Sequence, residues 1–176
     1  MKKYTLSLLL LAICCCWGFS QSEFCGRAVA LECGQSVSGN SAAGTDVLRY
    51  ADYGNCMQGI PANQAPFTGR EIVYIVNVEG TFTVSLSGLT NDLDLFVFPD
   101  FVFSECRGLS CAARSTNSNR TNESITIPNA SGTYFIVVDA YLANITSPFR
   151  LSLDCGDGGS ENPCAEATPI RCDQTI

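Results

Sequence analysis

Thr81-Phe-Thr-Val-Ser-Leu-Ser87 decides the fold class. Phe82, Val84 and Leu86 alternate with Thr83 and Ser85. A period of two sends the apolar set to one side and the hydroxyls to the other, the mark of a half-buried strand. Just upstream, Ile72-Val-Tyr-Ile-Val-Asn-Val78 is a β-branched run, and Glu79-Gly80 reads as the turn between the two. Downstream, Asp94-Leu-Phe-Val-Phe98 ends at the turn pair Pro99-Asp100, and Ser124-Ile-Thr-Ile127 is stopped by Pro128-Asn129. Gly132 to Tyr141 is the longest apolar run, and Phe149, Leu151 and Leu153 alternate along a last strand ending at Cys155. Leu31–Val37 makes a weaker opening strand. No stretch keeps apolar residues at spacings of three and four, so no long helix is expected. The sequence therefore predicts an all-β, antiparallel β-sandwich of the jelly-roll or Greek-key kind.

The ends of the chain set its compartment. Lys2 and Lys3 precede an apolar run from Thr5 to Cys16, and Gly18-Phe-Ser20 places small residues before Gln21, the pattern of a secretory signal peptide over residues 1–20. A lipoprotein signal is the rival reading, since Cys14, Cys15 and Cys16 end the apolar run. At the other end, Cys164-Ala-Glu-Ala-Thr-Pro-Ile-Arg-Cys172-Asp-Gln-Thr-Ile176 aligns without gaps on Cys25-Gly-Arg-Ala-Val-Ala-Leu-Glu-Cys33-Gly-Gln-Ser-Val37. The economical organisation is a module over residues 21–156, a linker over 157–163 and the start of a second, truncated repeat over 164–176. Neighbouring repeats of the same chain are then the first expected partners.

Charge and composition exclude whole classes of function. The chain carries a formal charge of −7, and loss of Lys2 and Lys3 with the leader makes it more negative. Such a surface repels phosphate backbones, so no nucleic-acid partner is expected. Histidine is absent, which removes His-based triads and His-ligated zinc. Lysine is absent after Lys3, which removes Ser-Lys dyads and Schiff-base chemistry. No catalytic residues are assigned, and the fragment is not expected to be an enzyme.

Cys25, Cys33, Cys56, Cys106, Cys111 and Cys155 fall inside the first module, an even number suited to disulfides in an oxidising, extracellular compartment. Zinc ligation competes, but no C-x-x-C pair occurs. Cys106 and Cys111 close a short loop and are the first expected bridge. Cys33–Cys56 and Cys25–Cys155 complete one pairing scheme, and Cys25–Cys33 is an alternative left open by spacing alone.

Gly80 to Val97, Gly132-Thr-Tyr-Phe-Ile-Val-Val-Asp-Ala-Tyr141 and Phe149-Arg-Leu-Ser-Leu153, taken in order, resemble the bacterial pre-peptidase C-terminal domain. The opening Cys33-Gly-Gln-Ser-Val-Ser-Gly39 is similar to its disulfide-containing variants in repeat arrays of secreted proteins. The resemblance covers most of residues 25–155. It implies a non-catalytic role in adhesion, spacing, substrate engagement or secretion, and relatives that bind calcium or collagen-like ligands. Here the module follows the leader directly instead of a catalytic domain, which favours a repeat array in a larger surface protein. Two alternatives stand beside it: an accessory domain of an extracellular peptidase or other hydrolase, and a carbohydrate-binding module.

Three sets of residues are candidates for ligands. Asp92 and Asp94, two apart along a strand, share a face. With Asp139 they form a candidate calcium site, since calcium takes hard oxygen ligands. The same pair suits a glycosidase poorly, because its two carboxyls must flank the bond from opposite sides. Phe96, Phe98, Phe101 and Phe103 surround the Pro99-Asp100 turn, as either an exposed patch for an extracellular protein or glycan or a layer packed beneath a loop. Sequons occur at Asn119, Asn122, Asn129 and Asn144.

Overall fold

The computed structural model describes residues 28–61, 63, 67–102 and 107–156, with the backbone alone at 100–102 and 107–109. Nine strands occur among them: β1 (Val29–Ala30), β2 (Ser36–Asn40), β3 (Glu71–Ser87), β4 (Leu93–Phe98), β5 (Asp100–Val102), β6 (Arg107–Ser110), β7 (Ala113–Ser115), β8 (Glu123–Ala140) and β9 (Pro148–Cys155). The main sheet runs in the order β2-β9-β3-β8-β4-β7, with β1 alongside β3, and β5 and β6 form a separate ribbon. Apart from the parallel β1–β3 contact, every strand pair is antiparallel. The fold is the expected sandwich-like antiparallel architecture carrying disulfides. No helix among the described residues is long and apolar enough to cross a membrane.

Two of the expected turns are bends inside strands. Glu79-Gly80 does not separate two strands, and neither does Pro128-Asn129. β3 and β8 instead pair over almost their whole length, from Glu71 opposite Asp139 to Leu86 opposite Glu123. Gly80 lies opposite Ala130 and Phe82 opposite Ile127, so Pro128 and Asn129 together face Thr81. That is a β-bulge, one of the few places a strand tolerates proline, which brings no N–H to the ladder. Gly80 has φ 88° and Asn129 φ 51°, conformations that favour these two residue types.

The bulge has a packing consequence. An extra residue flips the alternation, so Ile125 and Ile127 before it and Ile136, Val138 and Ala140 after it all enter the same core. They pack with Phe82, Val84 and Leu86 of β3, Leu93, Leu95 and Val97 of β4, and Phe149, Leu151 and Leu153 of β9. Past the bulge, the opposite face of β8 presents Phe135 and Val137 to a second cluster with Val73, Phe96, Phe98, Tyr53 and Phe67.

A connecting segment covers that second face. It contains a 3₁₀ stretch over Tyr50–Met57, kinked at Gly54 where φ is 53°. Tyr53 packs against Phe96 in a tilted arrangement with ring centroids 4.3 Å apart. Phe96 and Phe98 are therefore core residues and not a surface patch. β4 pairs with β7 and β8, and β5 pairs with β6, so the strands on either side of the Pro99-Asp100 turn do not pair with each other. Phe103 and the side chain of Phe101 lie outside the described residues.

The disulfide scheme also differs from expectation. Cys33 joins Cys155, and Cys56 joins Cys111. Cys33 precedes β2, which pairs with β9, and Gly34 N–H donates to the carbonyl of Leu153 at 2.9 Å. Register thus brings Cys33 to Cys155, with Cα atoms 5.5 Å apart. Cys111 N–H donates to Asn55 Oδ1 at 2.6 Å, which draws it to the 3₁₀ stretch bearing Cys56. Cys106–Cys111, Cys33–Cys56 and Cys25–Cys155 are consequently replaced; Cys25 and Cys106 themselves lie outside the described residues.

Candidate functional site

The acidic residues gather at one end of the sheet. Glu71 opens β3, Asp94 sits near the start of β4, and Asp139 lies near the end of β8. Asp139 is directly opposite Glu71 on one side and Asp94 on the other. Paired residues project to the same face, with Cβ atoms about 4.5–5.5 Å apart in such pairs. Three carboxyl groups therefore form a row across three adjacent strands, each at most 3 % exposed. Like charges so placed repel, and the row stands only because its members hold protons or accept hydrogen bonds.

Each member is handled differently. Glu71 accepts from Thr45 Oγ1 at 2.5 Å, from Val47 N–H at 2.9 Å and from Leu48 N–H at 3.3 Å. Burial raises its pKa while these bonds oppose the rise. Asp139 accepts from the Tyr53 hydroxyl through Oδ2. Burial pushes it up to about 8, against the pull of that bond and with the push of the Glu71 charge. Asp94 is pushed up to about 9, first by burial and then by the charges of Asp92, Glu123 and Asp139. Asp94 Oδ2 and Asp139 Oδ1 are buried without a hydrogen-bond partner.

A fourth buried carboxyl, Glu123 at the start of β8, accepts from the Ser115 hydroxyl and from the backbone and side-chain N–H groups of Asn117, both at 2.9 Å. It ties the loop after β7 down beside Asp92. Asp92 itself precedes β4, accepts from the Asn119 backbone N–H, and has its Oδ1 buried without a partner.

Asp92 and Asp94 line one cavity of about 260 Å³, together with Asn117, Ile60, Phe67 and Tyr141 among others. Asp139 is not among its walls. The three expected aspartates are thus neighbours but not one ligand set. Among the described residues no three acidic, histidine or cysteine side chains converge on a metal position. Calcium takes six to eight oxygen ligands; this lining offers the oxygens of Asp92, Asp94, Thr116, Asn117 and Ser118 beside the apolar Ile60 and Phe67, without the third expected carboxylate.

Sequence reasoning overlooked Glu71, Glu123 and Tyr53. The alternation itself held the signal for two of them. Glu123 is in phase with Ile125 and Ile127, and Glu71 is in phase with Val73, so both point to apolar faces. Tyr53 carried no such mark, because its 3₁₀ setting has no strand period.

No family model matches the chain, and no curated protein matches it. Among solved structures it is similar to the pre-peptidase C-terminal domain of a collagenase from Bacillus anthracis. Identity is 15%, the match covers 72% of this chain and 94% of that one, and the TM-score is 0.44. It is also similar to a periplasmic inhibitor of g-type lysozyme from Aeromonas hydrophila. There identity is 14%, coverage is 72% of this chain and 94% of that one, and the TM-score is 0.39. Both are partial likenesses of backbone arrangement, and the functional reading rests on the residues described above.

Proposed function

We propose that residues 21–156 form a non-catalytic module of a larger extracellular protein, serving adhesion, spacing or substrate engagement. The observation that carries this reading is the burial of the acidic groups. Glu71, Asp94, Glu123 and Asp139 are at most 3 % exposed, and three of them are already bonded to hydroxyl or amide groups of the fold. A general acid or base must come within hydrogen-bond reach of its substrate, and Glu71, Glu123 and Asp139 are spent on holding neighbouring segments to the sheet. The Cys33–Cys155 and Cys56–Cys111 bonds support this reading, since disulfides persist in oxidising compartments.

The test is an in-frame deletion of residues 21–156 from the full-length gene. Cells or secreted protein lacking them should lose attachment to an extracellular protein or glycan surface while any activity encoded elsewhere persists. Reproducible turnover of peptide or glycoside substrates by the purified chain, lost in Asp92→Asn, would overturn the reading.

A further inference from the structure

The cavity beside β4 joins an acidic wall to aromatic rings. Its acidic wall holds Asp94, 3 % exposed, and Asp92, and each keeps one buried oxygen without a partner. The rest of the lining is Ile60, Thr116, Asn117, Ser118 and the rings of Phe67 and Tyr141, the two rings meeting edge to face with centroids 5.9 Å apart. Arg49–Asp46, the ion pair seen among the described residues, joins side chains that do not line this cavity. Nothing in the described structure answers the two carboxyl groups with a positive charge.

We infer that the cavity receives a primary ammonium group carried on an alkyl chain, the chemistry of a lysine side chain. The ammonium would donate to the open oxygens of Asp92 and Asp94. Its alkyl stem would lie along Ile60, and the aromatic faces attract a cation. The volume of about 260 Å³ falls just below the range of drug-sized ligand sites, which suits one side chain and not a run of sugars. Residues 4–176 contain no lysine, so a second copy of these residues does not supply the group, which comes from a polypeptide segment outside them.

The inference rests on the module reading and adds a ligand to it. Loss of amine binding would leave that reading intact, whereas catalytic turnover would sink the reading without touching the cavity. A cation placed beside Asp94 favours its ionised form, so binding should release a proton and strengthen as pH rises from 6 to 9. The groups that face this equilibrium are Asp92 before β4, Glu123 and Asp139 on β8, Glu71 on β3, and Tyr53 and Arg49 on the covering segment.

The probes are Nα-acetyl-lysine methylamide, n-butylamine, the uncharged Nα-acetyl-norleucine methylamide, and calcium chloride, each titrated into the full chain and followed by amide NMR and calorimetry. The lysine derivative and butylamine should bind with millimolar Kd, shifting the amides of Asp92, Asp94, Asn117 and Tyr141, and the norleucine derivative should not. Tighter binding of the lysine derivative than of butylamine identifies a peptide partner, and butylamine binding more tightly would point to a free amine and overturn it. Asp94→Asn should weaken binding at least tenfold and abolish proton release. Asp92→Asn, at the less buried position, should weaken it with the fold unchanged by circular dichroism. Equal binding of the norleucine derivative, saturation by calcium with no response to amine, or no shift at 20 mM amine would overturn the inference.

Discussion

Asp94 on β4 and Asp139 on β8 face each other across a strand pair, both almost wholly buried, and each keeps an oxygen without a hydrogen bond. Two facing carboxylates in a low-dielectric setting cannot both ionise cheaply. The protons they retain are part of the folded structure.

Stability should therefore fall as pH rises. Folded Asp94 and Asp139 hold protons up to about 9 and about 8, against 3.8 for an ordinary aspartate. Between these limits the folded state binds more protons than the unfolded state, so the stabilisation is complete below about pH 4 and is lost through pH 8–9. The slope is at most about 1.4 kcal/mol per pH unit per group. Thermal melts from pH 5 to 9 should show a falling Tm, and Asp94→Asn should flatten the curve. A Tm that rises over this range would contradict the buried-proton account.

Tyr53→Phe removes the hydroxyl that donates to Asp139 Oδ2 and leaves that buried oxygen without this donor. An unsatisfied buried polar group costs about 1–3 kcal/mol, and the ring packing against Phe96 is retained. Urea unfolding should report a loss in that range at pH 6. Tyr53→Leu should cost more, since the aromatic contact goes as well.

Phe96→Ala should destabilise by about 3–5 kcal/mol, the cost of emptying a fully buried aromatic site. An exposed binding patch would behave differently: the melt would barely move and only ligand affinity would change. Chemical denaturation separates the two.

Peptide mapping of the non-reduced protein should recover Cys33 linked to Cys155 and Cys56 linked to Cys111. Replacing Cys33 and Cys155 together by serine should cost about 4 kcal/mol, because the bond closes a loop on the order of 100 residues. A linkage of Cys106 to Cys111 in the map would refute the register that places Cys56 beside Cys111.

The strand faces were readable because alternation is local. Phe82, Val84 and Leu86 needed no partner to be assigned, and all three are buried. Gly80 and Pro128-Asn129 were misleading because a bend within a strand and a turn between strands call for the same residues. Only the pairing of β3 with β8 distinguishes them. The disulfides and the Glu71–Asp139–Asp94 row depend on register between strands far apart in sequence, which no local pattern records. Phe96 and Phe98 looked available because their cover, the segment around Tyr53, has no periodicity to announce that it packs anywhere.

The Cys33–Cys155 bond also decides what happens when the chain is pulled. Tension arriving from beyond either cysteine crosses one sulfur–sulfur link, and residues 34–154 carry none of it. Only β1, ahead of the clamp, is left to peel from the edge of β3. Under flow or between moving surfaces, the sandwich would act as an inextensible shackle, and the cavity beside β4 would keep its shape at loads that unzip an unclamped sheet.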